Sequence, residues 1–202
     1  MDKFSYFIIF YSLILGLALT ELLGGFARMV RARALRKLEA QTALAGLMIL
    51  LYLCATWLDA WDSLRTVTLD FAGLAAPVLL AICYYLAAAV VFPHQEADHE
   101  RLASYYEERR PFIMTMMLAA SLLENTTYSG IFAASIDRDP PLFWLWLLPY
   151  NLAIDGSMLA LIFLRSRRAN VVLLCALILL ITIPYWSNNM IGPAIVHLAG
   201  YR

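Results

Sequence analysis

The chain has 202 residues, 62% of them hydrophobic and only 15% charged, with a mean hydropathy of +0.71. A soluble domain carries about a quarter charged residues, so this balance, laid out in long apolar runs, excludes an ordinary water-soluble fold and points to one polytopic membrane domain. The 15 basic and 15 acidic residues cancel, which excludes the basic surface that nucleic-acid binding requires.

Six runs reach the roughly 20 apolar residues that a bilayer span takes. They are predicted at Phe4–Ala27, Gln41–Asp62, Asp70–Phe92, Phe112–Ser135, Pro141–Leu164 and Asn170–Val196. The fold class is therefore all-α: an integral membrane bundle of six transmembrane helices in a single domain over residues 1–202.

The first run carries Ser12, Gly16, Thr20 and Gly24 at every fourth position, a ridge of small side chains down one helical stripe. Small residues at this spacing let another helix backbone approach closely in lipid. Glu21 lies in the same run, and a carboxylate there should face protein or a wet cavity. This helix is expected to be central, its ridge packing within the chain or against a second copy. Lys3 followed by an apolar stretch resembles a signal peptide, but no A-x-A site follows and a dense basic segment comes next, so the run reads as a retained helix.

The second run ends in Trp57, Asp59, Trp61 and Asp62, an aromatic belt with solvated acids. Between the third and fourth runs lies PHQEADHERLASYYEERRP, bracketed by Pro93 and Pro111 and rich in helix formers. It predicts a short cytoplasmic helix, with Leu102, Tyr105 and Tyr106 on the headgroup interface. His94 and Asp98 stand one turn apart there, but His99 is off that face and no HExxH is present, so a solvated acidic helix is the better reading and no metal is expected. The IDRDPP turn joins the fourth and fifth runs. Short connections predict that sequential helices are antiparallel neighbours.

Lys and Arg set the orientation. Eleven of the 15 basic residues fall in three loops: Arg28, Arg31, Arg33, Arg36 and Lys37 in the first, Arg101, Arg109 and Arg110 in the third, Arg165, Arg167 and Arg168 in the fifth. Those loops are cytoplasmic, both termini lie outside, and a bacterial inner membrane is the expected home. The arginines of the first and fifth loops have a second reading as an anionic-lipid surface.

Acids within helices are the most informative residues. Glu124 sits near the middle of the fourth run and Asp155 near the middle of the fifth; with Glu21 they fall within about 10 Å of one another in depth by helical rise. No Lys or Arg lies inside a span at that depth, so each acid must be protonated, hydrogen-bonded, cation-bound or wet. Asn151 and Asp155 share one face, Tyr128 follows Glu124, and Asn188 lies beyond a kink expected at Pro184. One reading makes these residues a polar path for a proton, cation or small solute; the other makes the acids interhelical hydrogen-bond partners. Glu21 fits the second better, since Arg28 or Arg31 can reach it.

Cys54, Cys83 and Cys175 lie in apolar runs without CxxC spacing and read as small core hydrophobes. His197 has no second intramembrane histidine, so no haem or other cofactor is expected. No Gly-rich phosphate loop, Ser-His-Asp set or Walker lysine occurs, and no enzyme activity is indicated. The string YSLILGLALTELLGGFARMVRAR, with WLDAW and YYLAAAVVFP, resembles a group of small bacterial inner-membrane proteins. The likeness covers about the first half and implies a multi-helix membrane protein, with no activity or site residue to carry over.

The leading expectation is thus a small proton- or cation-linked transporter or channel-like protein. Its rival is a non-catalytic scaffold or accessory subunit of a larger membrane complex. The expected partners are the bilayer and either a second copy or that complex.

Overall fold

The computed structural model describes residues 3–32, 38–63, 71–94, 102–127 and 143–186. They form α1 (Lys3–Arg31), α2 (Ala40–Ser63), α3 (Phe71–Val91), α4 (Leu102–Thr127), a π-helical turn (Phe143–Leu147) running into α5 (Leu148–Phe163), and α6 (Arg167–Trp186). No strand occurs among the described residues. Among the described residues three helices are long and apolar enough to cross a membrane: Phe4–Arg31, Ala40–Ala60 and Leu74–Val91. Their outward faces carry bare apolar side chains, such as Leu13 and Leu17, and α6 adds Val172, 68% exposed. Such faces suit an apolar solvent.

The helices close into a ring in the order α1, α3, α4, α5, α6, α2, and α2 also reaches inward to touch α3 and α4. Sequential neighbours are therefore not always the main partners: α1 packs chiefly on α3, and α2 on α6. The expectation that α1 is the central helix is corrected. α2 has four helix neighbours and buries 44% of its apolar window, against 28% for α1.

The buried stripe of α1 is Phe7, Tyr11, Leu15, Ala18, Leu22, Gly25 and Met29. These steps, two of four and then three, four, three and four, are the spacing of a helix laid along a neighbour. The core also holds Tyr84 of α3, Met48 and Ile49 of α2, Ile113 and Met117 of α4, Met158 of α5 and Leu174 of α6, all fully buried.

Phe92, just past the end of α3, is wedged between α1 and α2. A Cβ on Gly25 would lie 3.0 Å from Phe92 Cβ, and one on Gly46 would lie 2.8 Å from Phe92 Cζ. The close approach of backbone to ring is what glycine permits at these two positions.

Over its described part, from Leu102, the separate helix expected between Pro93 and Pro111 is instead the start of α4, which runs without a break through Pro111. Thr115 Oγ1 donates to the Pro111 carbonyl at 2.7 Å. The tyrosines there face the bundle, not a headgroup layer: Tyr106 is fully buried, and Tyr105 donates to the Val90 carbonyl at 2.9 Å. The cysteines also differ from expectation. Cys54 and Cys175 are exposed and Cys83 is half-buried, so none belongs to the closed core.

Candidate functional site

Ser121 and Asn125 stand one turn apart on α4 and so reach the same partner. Ser121 Oγ donates to Asp155 Oδ1 at 2.6 Å, and Asn125 Nδ2 donates to Asp155 Oδ2 at 3.3 Å. Both oxygens of the α5 carboxylate are thereby engaged by neutral donors. Ser121 is buried, while Asn125 and Asp155 are half-buried.

Glu124 projects from α4 toward a different pair of helices. Thr56 of α2 donates to Glu124 Oε1 at 3.3 Å, and the Thr56 hydroxyl lies 2.9 Å from Tyr84 OH of α3. A hydroxyl has one proton, so Thr56 giving to Glu124 makes Tyr84 the donor to Thr56. The result is a relay from Tyr84 through Thr56 to Glu124, with Tyr84 wholly buried. Successive helical residues are about 100° apart, which separates the α2-facing Glu124 from the α5-facing Ser121 and Asn125. The two acids thus share one helix level but are bonded from different faces of α4, about 60° to 100° apart.

The other sequence candidates are not drawn into this pair. Asn151 donates to the Leu147 carbonyl of its own helix at 2.8 Å rather than joining Asp155, and Tyr150 OH donates to the Leu180 carbonyl of α6 at 2.8 Å. Tyr128 and Asn188 lie outside the described residues, as do the side chains from Pro184 onward.

Glu21 belongs to a second cluster, at the arginine-rich end. Arg28 Nη2 donates to its Oε1 at 3.1 Å, and His94 Nε2 lies 3.1 Å from the same oxygen and 2.9 Å from Arg28 Nη2. The expected Arg28 partner is present; His94 is an addition. On the far side of that end Arg167 donates to Glu107 at 2.9 Å and to Glu39 at 3.3 Å, and Gln41 Nε2 reaches the Arg167 carbonyl at 3.5 Å. One exposed arginine therefore ties α6 to α4 and to the approach of α2.

The small-residue ridge of α1 lies off the buried stripe. Nothing comes within 4 Å of a Cβ built on Gly16, Thr20 is exposed, and a Cβ on Gly24 meets only Arg28 of its own helix. Ser12 and Gly16 instead line an apolar cavity of about 440 Å³ between α1 and α2, with Leu53, Cys54 and Trp57 opposite. Trp57 Nε1 donates to Ser12 Oγ at 3.3 Å at its mouth. None of the three acids lines it.

Thr56, Tyr84 and Ser121 were not among the sequence candidates, and His94 was weighed only as a metal ligand. Thr56 and Tyr84 had a weak signal, being polar groups on the buried stripes of apolar helices. The pairing of His94 with Glu21 had none, because the two are 73 residues apart in sequence. Comparison of the chain with protein-family profiles, curated proteins and solved structures found no match.

Proposed function

We propose that the protein is a non-catalytic membrane scaffold or accessory subunit whose intramembrane acids hold helices together. The observation that carries this reading is the separate bonding of Asp155 and Glu124 by neutral donors from different helices. Half-buried carboxylates so engaged act as interhelical links. In this reading α4, α5 and α6 complete six spans, the arginine-rich end faces the cytoplasm of a bacterial cell, and both termini lie outside. The ridge of Ser12, Gly16, Thr20 and Gly24, turned away from the chain's own core, is then available to a second copy or to a larger complex.

A proton- or cation-linked path is the second reading. What favours it is the Tyr84–Thr56–Glu124 relay, since linked hydroxyls ending on a half-exposed carboxylate suit proton transfer. Purified protein in liposomes loaded with a pH-sensitive dye separates the two. The scaffold reading predicts no proton flux above empty liposomes and a stable oligomer or co-purifying partner after gentle extraction. A pH-dependent flux that Glu124→Gln or Asp155→Asn abolishes, with the fold retained, sinks it.

A further inference from the structure

Buried polar atoms without partners are concentrated at one end of the bundle. Among the described residues they include Gln41 Oε1, Thr42 Oγ1, Tyr106 OH, Arg110 Nε and Asn170 Oδ1. All five belong to the opening turns of α2, α4 and α6, the three helices that start at the arginine-rich end.

Arg110 is the costly one. It is only 6% exposed, and no acid pairs with it among the described residues. A guanidinium cannot shed its charge, and a buried charge without a counter-charge is strongly unfavourable. Nearby carboxylates do not answer it: Glu107, one turn earlier, is engaged by Arg167, as is Glu39, and Glu108 is exposed.

Helix register brings two further donors to this place. Thr42 precedes Thr56 by fourteen residues, and Arg110 precedes Glu124 by the same fourteen. α2 and α4 run in the same direction and are bonded at Thr56–Glu124. Fourteen residues are about 21 Å and nearly four turns, so Thr42 and Arg110 come to one level on nearly the faces that carry the bonded pair. Tyr106 lies one turn from Arg110 on the same buried stripe, its hydroxyl unpaired. The Arg110 Nε and two neutral hydroxyls thus lack a partner at the depth where α4 changes from charged to apolar, between Arg110 and Phe112.

We propose that Arg110, with Tyr106 and Thr42, binds a phosphate group, presented by an anionic lipid headgroup or by a free phosphate ion. The planar guanidinium matches two phosphate oxygens, and the hydroxyls supply further donors. The site does not depend on the scaffold reading.

Thermal unfolding in the phosphate-free detergent dodecylmaltoside tests it in two arms, added inorganic phosphate and added short-chain phosphatidylglycerol, each against chloride at equal ionic strength. A ligand held at ~100 times its Kd should raise the wild-type Tm by about 5 °C or more in one arm, which identifies the source. Arg110→Gln should lose that rise, yet melt no lower than wild type in chloride, because the substitution removes an uncompensated buried charge. Arg110→Lys should keep a response at several-fold higher ligand. Tyr106→Phe and Thr42→Val should each weaken the response, and they decide the matter if Arg110→Gln does not fold. A wild-type Tm unmoved in both arms overturns the proposal, and so does a rise that the variants share in full.

Discussion

Ser121 and Asp155 are joined by a 2.6 Å hydrogen bond across the α4–α5 interface, with Asn125 closing on the second carboxylate oxygen. Ser121 and Asn125 on one helix and an aspartate on the next thus form a two-point link, its serine buried. Hydrogen bonds to charged groups contribute more than neutral ones, and an unsatisfied buried acceptor costs more still. Ser121→Ala is therefore expected to lower stability by about 1 to 3 kcal/mol. Asp155→Asn, which keeps an acceptor and the volume, should cost less. Urea or thermal unfolding in detergent reads both, and equal losses for the two would show that charge, not donation, carries the link.

Against a different face of α4, Thr56 serves two partners at once. Thr56→Val keeps the shape but strips the donor from Glu124 and the acceptor from Tyr84. Because the three groups form one relay, their effects should not add. A double-mutant cycle of Thr56→Val with Glu124→Gln is expected to give a coupling of about 0.5 to 3 kcal/mol. A coupling near zero would mean that the relay contributes nothing to stability.

The helical class was legible because long apolar runs have few other homes, and the onset of α1, α2 and α3 falls within a few residues of the runs that announce them. The acids were legible too, since a carboxylate in an apolar run is conspicuous. Their partners were not. Ser121 and Thr56 are ordinary residues in apolar helices, and only the packing of α4 against α2 on one face and α5 on another selects them. The small-residue ridge shows the same limit from the other direction. Spacing alone marked Ser12, Gly16, Thr20 and Gly24 as a seam, but the larger residues Phe7, Tyr11, Leu15 and Leu22 took the buried face of α1 because they bury more surface. Arg110 did leave a trace in the sequence. Tyr106, Arg110, Ile113 and Met117 recur at helical spacing, which puts the arginine on the buried stripe.

Arg167 makes a different kind of contact from the links of Asp155 and Glu124. It is exposed and holds Glu107 and Glu39 at the rim. Exposed ion pairs are weakened by dissolved salt. Arg167→Gln should therefore cause a small fall in Tm at low salt that disappears at about 1 M salt, where the Debye length is only about 3 Å. A loss that persists in high salt would assign Arg167 a packing role instead.

Tyr106 gives a pH dependence with a definite sign. It lies ahead of the apolar part of α4, and burial pushes its phenol from 10.0 up to about 12. Below pH 10 both folded and unfolded chains hold the proton, so the group is neutral to stability. Between pH 10 and about 12 the unfolded chain releases it and the folded chain does not, so stability falls as pH rises. Two pH units correspond to at most about 2.7 kcal/mol. Tyr106→Phe should remove this part of the alkaline loss, so its stability relative to wild type should improve across that window. Parallel pH curves for the two proteins would contradict the assignment.

The glycines of α1 and α2 offer a contrast within one substitution type. Gly25→Ala places a methyl 3.0 Å from Phe92 Cβ, an atom next to the backbone that cannot swing aside, and Gly46→Ala places one 2.8 Å from the ring tip. Phe92 is itself buried, so either methyl must push α3 away from its neighbours or turn the ring out of place. Overpacking of this kind costs about 1 to 3 kcal/mol. Gly16→Ala meets nothing within 4 Å and gains helix propensity, so in detergent-solubilised monomer it should be neutral or stabilising by up to about 1 kcal/mol. Measured side by side, the three variants test whether α1 is seated by Phe92 or by its ridge. Destabilisation by Gly16→Ala as large as that by Gly25→Ala would place the ridge in the fold itself. A loss confined to Gly25 and Gly46 would leave the ridge free for contacts outside the chain.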